Sequence, residues 1–525
     1  MFKKIVRAVL VISVLCFVTG AAKSIYPLQN NPKLTYWMEL HANTALITKS
    51  FADIPLAKEL EKRIGVKVEY IHPAVAAQVS GPTGRATEAF NLMVASGEPP
   101  DIIEYYWRYI PGGPAAAIKN GFIIRLNEAM WKWAPNLRAF LRKNPDINKM
   151  IKTDEGDYFC FPFIRGKGPL LSTAGLIIRQ DWLDDLKLPM PKTIDDWYNT
   201  LKAFKEKKGA TYPLTVMKAD LRQDFANGFG FFAPSMGNGF YTDQGKVKYG
   251  YTSPGMKNFY ATMNKWFREG LLDPNFGTLS SKTIDANILG GKSGAAHGSG
   301  GSGLGRWIAA AKDIKGFDLS GCPWPAAKPG EKIAKYGYSQ AIWPGEGGNA
   351  AISTKCKNIE AAVRLLDYNY SEEGNILMNF GIEGISYKVI NGYPAYTEAI
   401  MNSPAITQEM SKYMRGHTNG PFVQDPRYLE QYYALPQQKQ ASLTWMKTDA
   451  YKYQLPPVTP TAEESSEVAR IMSEIDTYND EMFMKFILGN EPVDNFDKYV
   501  AQIKKFGIDK VIAIYQNAME RYKNR

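Results

Sequence analysis

The sequence predicts an α/β protein of two lobes, each a mostly parallel sheet flanked by helices, with a largely helical C-terminal part. Three observations carry that prediction. At 525 residues the chain exceeds what one hydrophobic core usually supports, so it must divide. Between Lys33 and Ile103 short apolar runs alternate with helix-length stretches, which is the βαβ rhythm of a parallel sheet. A composition 45% hydrophobic and 13% aromatic is that of a packed globular chain.

The N-terminus comes first in order. Lys3, Lys4 and Arg7 precede an apolar run from Ala8 to Val18, and Gly20-Ala21-Ala22 follow, the three-part layout of a secretory signal over residues 1–22. The run is shorter than the roughly 20 apolar residues that span a bilayer, and no later segment approaches that length, so a soluble exported protein, periplasmic or extracellular, is expected. The alternative is a lipid anchor on the outer face of the membrane through Cys16, where bulky Leu15 stands in place of the small residue such a motif needs. Loss of the signal removes three cations and no acid from a net charge of +11; spread over a large surface, the remaining excess is more often a solubility feature than a sign of an acidic ligand. Cys160, Cys322 and Cys356 are too few and scattered for a disulfide framework, although one pair could form after export.

Residues 33–40 read as a first strand, 55–64 as a helix, 66–71 as a second strand, 86–95 as a helix and 96–103 as a turn entering a buried strand. Ligands in such sheets sit at the carboxyl ends of the strands. That rule places Glu39, His41 and Asn43 after strand one, and Glu104, Tyr105, Tyr106 and Trp107 after strand three, on one rim. A second module starts near residues 158–163 and carries a strand entering a helix at 175–182. Thr193 reads as the N-cap of a helix over 194–206, and Trp182 and Trp197 read as packing residues. The glycine run 290–305 has two readings: backbone that approaches a ligand closely, or a flexible loop. Helices follow at 359–369 and 371–380, while 391–458 is rich in Pro and Tyr with weak periodicity. Ile471, Ile475, Tyr478, Met482 and Phe486 form one core-facing stripe, and Phe496, Tyr499, Ile503 and Phe506 a second.

Common catalytic signatures are missing. Gly291-Lys292-Ser293 would need glycine at 286 for a phosphate loop, and the chain has Ala286. His41, His72, His297 and His417 are isolated, without zinc-ligand spacing. Leu304 stands where a nucleophile elbow around Ser302 needs glycine. A secreted glycosidase, which needs only two carboxylates in a cleft, is the alternative class. An adhesin is disfavoured because the chain lacks internal repeats and a surface anchor.

Several segments in order resemble the family-1 extracellular solute-binding proteins of ABC importers, in the large oligosaccharide-binding branch with the alginate binders and related lipoproteins. They are Asn91 to Ile102, Ile178 to Leu183, Pro191 to Tyr198 and Leu201 to Glu206, then Trp266 to Asp273, Ile352 to Asn358, Gly381 to Tyr387 and Phe496 to Tyr499. The resemblance implies a two-lobe periplasmic-binding-protein fold, type II-like, that closes over its ligand. One lobe would take 24–160 and 318–400, the other 161–317 and 401–525. It implies capture of an oligosaccharide for an ABC permease by a monomer, with no catalysis, cofactor, metal or nucleic-acid partner. Phe163 resembles the aromatic position at the first crossing between lobes. Two departures stand out: Lys205 to Thr211 offers one carboxylate where the alginate binders hold calcium, and glycine and serine at 298–301 replace an aromatic. The expected ligand contacts are Tyr106, Trp107 and Phe163 as stacking surfaces and Glu39, Asn43, Glu104, Arg165 and Asp224 as polar groups, with His41 and Trp343 completing the set.

Overall fold

The alternation of strand and helix is present in a computed structural model, which describes residues 25–73, 86–233, 239–337 and 348–525. Its strands are β1 (Lys33–Trp37), β2 (Lys67–Ile71), β3 (Ile102–Tyr105), β4 (Ala174–Arg179), β5 (Leu214–Thr215), β6 (Phe240–Asp243), β7 (Lys246–Tyr249), β8 (Ala295–Ser299), β9 (Leu319–Gly321), β10 (Asn349–Ile352), β11 (Tyr387–Ile390) and β12 (Tyr393–Tyr396). Local rules fix the helices between them. Helix Pro55–Ile64 begins on a proline, whose missing N–H costs nothing in a first turn, and ends at Gly65 with φ 75°. Any side chain at Gly65 would meet the Leu28 backbone at 2.8 Å. Helix Ile194–Lys208 starts on the predicted cap: the Thr193 hydroxyl accepts from Asp196 N at 3.1 Å and the Asp196 carboxylate accepts from Thr193 N at 2.9 Å.

The first sheet has the order β10-β3-β1-β2, with β1 parallel to both β2 and β3 and only β10 opposed. The second, β5-β8-β4-β9, departs from the mostly parallel sheet expected of each lobe. There β4 is antiparallel to β8 and to β9, and only β5 and β8 pair in parallel. One rule covers both sheets: three strands share a direction, and the strand that has just crossed from the other lobe opposes them. β10 is the edge strand of its four-stranded sheet, with Ala350 making a further isolated antiparallel bridge to Phe161, whereas β4 lies inside and pairs with a strand on each side. All six residues of β4 are buried, as a strand covered on both faces requires.

The chain makes three sets of contacts near the boundaries expected at 161, 318 and 401. Phe161 and Phe163 pack in the first lobe's core with Phe422. β9 pairs with β4 in the second sheet, and Ala334 joins a cluster around Trp445. Helix Ile406–Tyr413 packs on helices Ala42–Ala45 and Pro55–Ile64 of the first lobe. Each of these partners is remote in sequence.

The second lobe's main core takes in Trp182, Trp197 and the predicted stripe of helix Ala462–Leu488, on which Phe496, Tyr499 and Ile503 pack. The C-terminal helix Ile508–Lys523 reaches back to the first lobe. Asp154 accepts from Arg521 Nε at 2.9 Å and from Arg525 Nε at 2.7 Å, and the Arg525 side chain is fully buried. The three cysteines are buried free thiols in separate clusters, so the pairing that the sequence allowed does not form. Burial raises all three thiols, Cys356 to about 12. Among the described residues no helix is long and apolar enough to cross a membrane.

Candidate functional site

The crossings enter and leave each sheet at one edge, and strand register shows which. Asn349, the first residue of β10, pairs with Tyr105 at the end of β3, and Ala174, the first of β4, pairs with Ser299 at the end of β8. The carboxyl ends of the parallel strands in both lobes therefore lie level with the crossings. Those are the ends at which α/β sheets hold ligands. Asn349 also ties the crossings together: its carbonyl accepts from Trp107 Nε1 at 3.1 Å and its Oδ1 from Phe163 N at 2.9 Å.

On the first lobe's edge the central group is Glu104. Its carboxylate, about 9% exposed, accepts from Tyr36 Oη at 2.9 Å and bidentately from Arg415 at 2.7 and 3.0 Å. A paired carboxylate is the arrangement that makes its burial tolerable. Arg415 donates also to the Asn419 carbonyl, which folds the 415–420 turn around the guanidinium. Gly420 is required there, since a Cβ would stand 2.5 Å from Arg415 Cζ. Beside this pair lies His417, its ring centroid 5.7 Å from that of His41. Burial, then the neighbouring His41 and Arg415, push His417 down to about 3, so the imidazole is neutral at pH 7. The Ser411 hydroxyl donates to Thr407 O, which assigns His417 Nε2 as donor to Ser411 Oγ at 2.9 Å.

The second lobe's edge is poised the other way. His297 on β8 holds Asp224 at 2.9 Å through Nδ1, and its Nε2 faces Asp220 at 3.8 Å. Asp224 is fully buried, while the Asp220 side chain is 26% exposed. Burial acts to lower the imidazole, but the two carboxylates outweigh it and raise His297 to about 9. It therefore stands as an imidazolium between acids. The glycine run is ordered backbone: β8 is followed by a π-helical turn, Gly300–Gly305, whose Ser299 hydroxyl accepts from Ser302 N at 3.1 Å. Its glycines make room for aromatic rings. A Cβ on Gly300 would sit 2.5 Å from Tyr433 Cζ, and one on Gly301 2.3 Å from Tyr432 Cε1.

Residues 48–376 match the family model of bacterial extracellular solute-binding proteins. The chain belongs to that family. It is 26% identical over 377 residues to lipoprotein LipO of Bacillus subtilis strain 168, covering 68% of each chain. Against the fructooligosaccharide ABC transporter substrate-binding protein FusA of Streptococcus pneumoniae it is 22% identical over 532 residues, covering 95% of this chain and 92% of the relative. The alginate-binding protein AlgQ2 superposes with TM-score 0.75 at 24% identity, over 95% of this chain and 100% of that one. A human-milk-oligosaccharide (HMO) binding solute-binding protein from Bifidobacterium longum infantis gives TM-score 0.72 at 22% identity, over 94% and 99%. These structural likenesses show the two-lobe fold.

In this solute-binding protein the sequence-derived site residues divide into two groups. Glu39, His41, Asn43 and Tyr106 are half-buried at the first lobe's carboxyl edge, and Arg165 is half-buried in the crossing, where Nε donates to Leu170 O at 3.0 Å. Trp107, Phe163, Glu104 and Asp224 are drawn inward. Trp107 has no exposed surface among Phe90, Tyr105 and Phe122, and Phe163 has none against Phe422, so neither ring presents a stacking face here. Burial of apolar rings outcompetes display at these strand ends. Glu104 and Asp224 are each taken up by a cation. Trp343 lies outside the described residues. Segment 205–211 forms the last turn of helix Ile194–Lys208 and its Gly209 cap. Among the described residues no cluster of three or more His, Cys, Asp or Glu is placed to hold a metal. Sequence reading missed Arg415, Asp220 and the Tyr432/Tyr433 pair, and treated His297 only as a zinc candidate. A histidine within so glycine-rich a strand was the one available signal.

Proposed function

We propose that this protein captures a neutral oligosaccharide between its two carboxyl edges and delivers it to an ABC permease. Family membership supports capture, and relatives whose names specify oligosaccharides, FusA and the HMO binder, support the ligand class. The observation that carries the neutral choice is electrostatic. The edge cations Arg415 and His297 are already spent on Glu104 and Asp224, which leaves Arg165 at the crossing as the cation that a uronate would have to use. The first lobe would contribute Glu39, His41, Asn43 and Tyr106, and the second Asp220, Ser299 and Ser302 as hydroxyl partners, with Arg165 from the crossing; Trp343, expected from the sequence, lies outside the described residues. A sugar needs just this mixture of ring faces and hydrogen-bonding groups.

Family membership favours binding over hydrolysis; with Glu104 and Asp224 closed off by cations, a glycosidase would have to use Glu39 and Asp220 as its carboxylates. Thermal unfolding with fructo-, galacto- and uronic-acid oligosaccharides tests the reading. A neutral sugar at 100-fold over its Kd should add about 2.7 kcal/mol. Preferential stabilisation by oligogalacturonate would overturn the neutral assignment, and shortened products on chromatography would turn the reading to a glycosidase.

A further inference from the structure

We propose that the outer face of helices Asn127–Trp133 and Pro135–Lys143 is a docking surface for an anionic phospholipid bilayer. These helices bury Ala129, Met130, Leu137 and Leu141 against the first lobe's core. On the opposite side Trp131 is 73% exposed, an unusual position for the largest apolar side chain. It is held there: the Arg138 guanidinium lies 4.0 Å from the ring centroid and donates to the Trp131 carbonyl. One ring face is thereby covered and the other is turned to solvent.

The surroundings are cationic. Lys132, Arg142 and Lys143 are exposed and Arg138 half-exposed, and none of the four is ion-paired among the described residues. Arg138 and Arg142 are four apart on one helix, where like charges repel. Helix Pro135–Lys143 has no acid, and Glu128 on its neighbour is taken by Arg125; exposed Asp146 is the one acid just beyond. A fixed tryptophan ringed by unpaired cations matches the headgroup layer of an anionic membrane, where indole sits at the polar boundary and Lys and Arg meet phosphates.

The described chain also begins on this helical layer. Tyr26 packs edge-on against Tyr368 at 5.3 Å and donates to Arg364 O, and helix Ile359–Tyr368 packs on both patch helices. Its Asp367 accepts from the first amides of helix Pro135–Lys143 at 2.8 and 3.2 Å, which fixes the patch on the lobe. Tyr26 thus packs on the same helix that holds the basic face.

Vesicle flotation of the mature protein tests this. Vesicles containing phosphatidylglycerol should bind it in low salt, and pure phosphatidylcholine vesicles should not. Each surface cation lost should weaken partitioning about fivefold, so R138Q/R142Q should bind about 30-fold less. W131A should bind several-fold less, and K504Q/K505Q, an equal charge loss on the second lobe, should bind as wild type. Equal loss in K504Q/K505Q, unchanged binding in the patch variants, or no binding at all would overturn the proposal. Displacement by soluble polyglutamate as effective as by free phosphatidylglycerol vesicles would overturn it in favour of an acidic protein partner. Unchanged melting temperatures in the variants would show that the folded state is intact.

Discussion

The two carboxyl edges each bury a histidine near a carboxylate–cation pair, yet the histidines are poised in opposite directions. In the first lobe the acid is consumed by Arg415, so burial, helped by His41 and Arg415, holds His417 neutral near 3. In the second lobe the histidine is itself the cation, and Asp220 and Asp224 hold it charged up to about 9. One residue type thus does opposite electrostatic work according to which partner the fold brings to it. The lobes also differ in how a crossing strand is received, at the sheet edge for β10 and in the interior for β4.

The largest way to break this comparison is to remove the arginine. Arg415→Ala would leave the Glu104 carboxylate, about 9% exposed, without its cation, a loss of about 3–5 kcal/mol in urea unfolding. A shift of less than about 1 kcal/mol would mean that water reaches Glu104.

The pH dependence sharpens the contrast. His417 protonates only on unfolding, so its contribution is complete above about pH 6.5 and falls, by up to about 1.4 kcal/mol per unit, as pH drops towards its folded value of about 3. His297 has a raised folded value, so its contribution is complete below about pH 6.5 and is lost as pH rises through about 9. His417→Gln should flatten the acid arm and Asp224→Asn the alkaline arm. NMR titration that placed both imidazoles near 6.5 would erase the distinction.

The smallest expected effect concerns the glycine turn at the second edge. Gly300→Ala drives a methyl into the Tyr433 ring and should cost about 1–3 kcal/mol by overpacking. A neutral result in chemical denaturation would mean that the turn yields, as the flexible-loop reading of the sequence would have it.

Much of the fold was legible because its signals are local. Pro55 and Gly65 mark the two ends of one helix, Thr193 with Asp196 caps another, and the stripe through Ile471, Ile475 and Phe486 needs only the helical repeat to be seen as core. Strand-end position also put Glu39, His41, Asn43 and Tyr106 at the carboxyl edge of the first sheet, where they are half-buried. The same rule misjudged Trp107 and Phe163, because a strand end says where a side chain starts and not whether a hydrophobic core claims it.

The sequence by itself therefore determined the elements, their caps, their buried faces and the family. Tertiary structure alone decided the electrostatics of the edges and the direction of the second sheet. Glu104 meets Arg415 across 311 residues and Asp224 meets His297 across 73, distances over which propensity and periodicity carry no information. Whether a crossing strand inserts at an edge or in the middle likewise depends on which neighbours it can hydrogen-bond, and those neighbours exist only once the chain has folded.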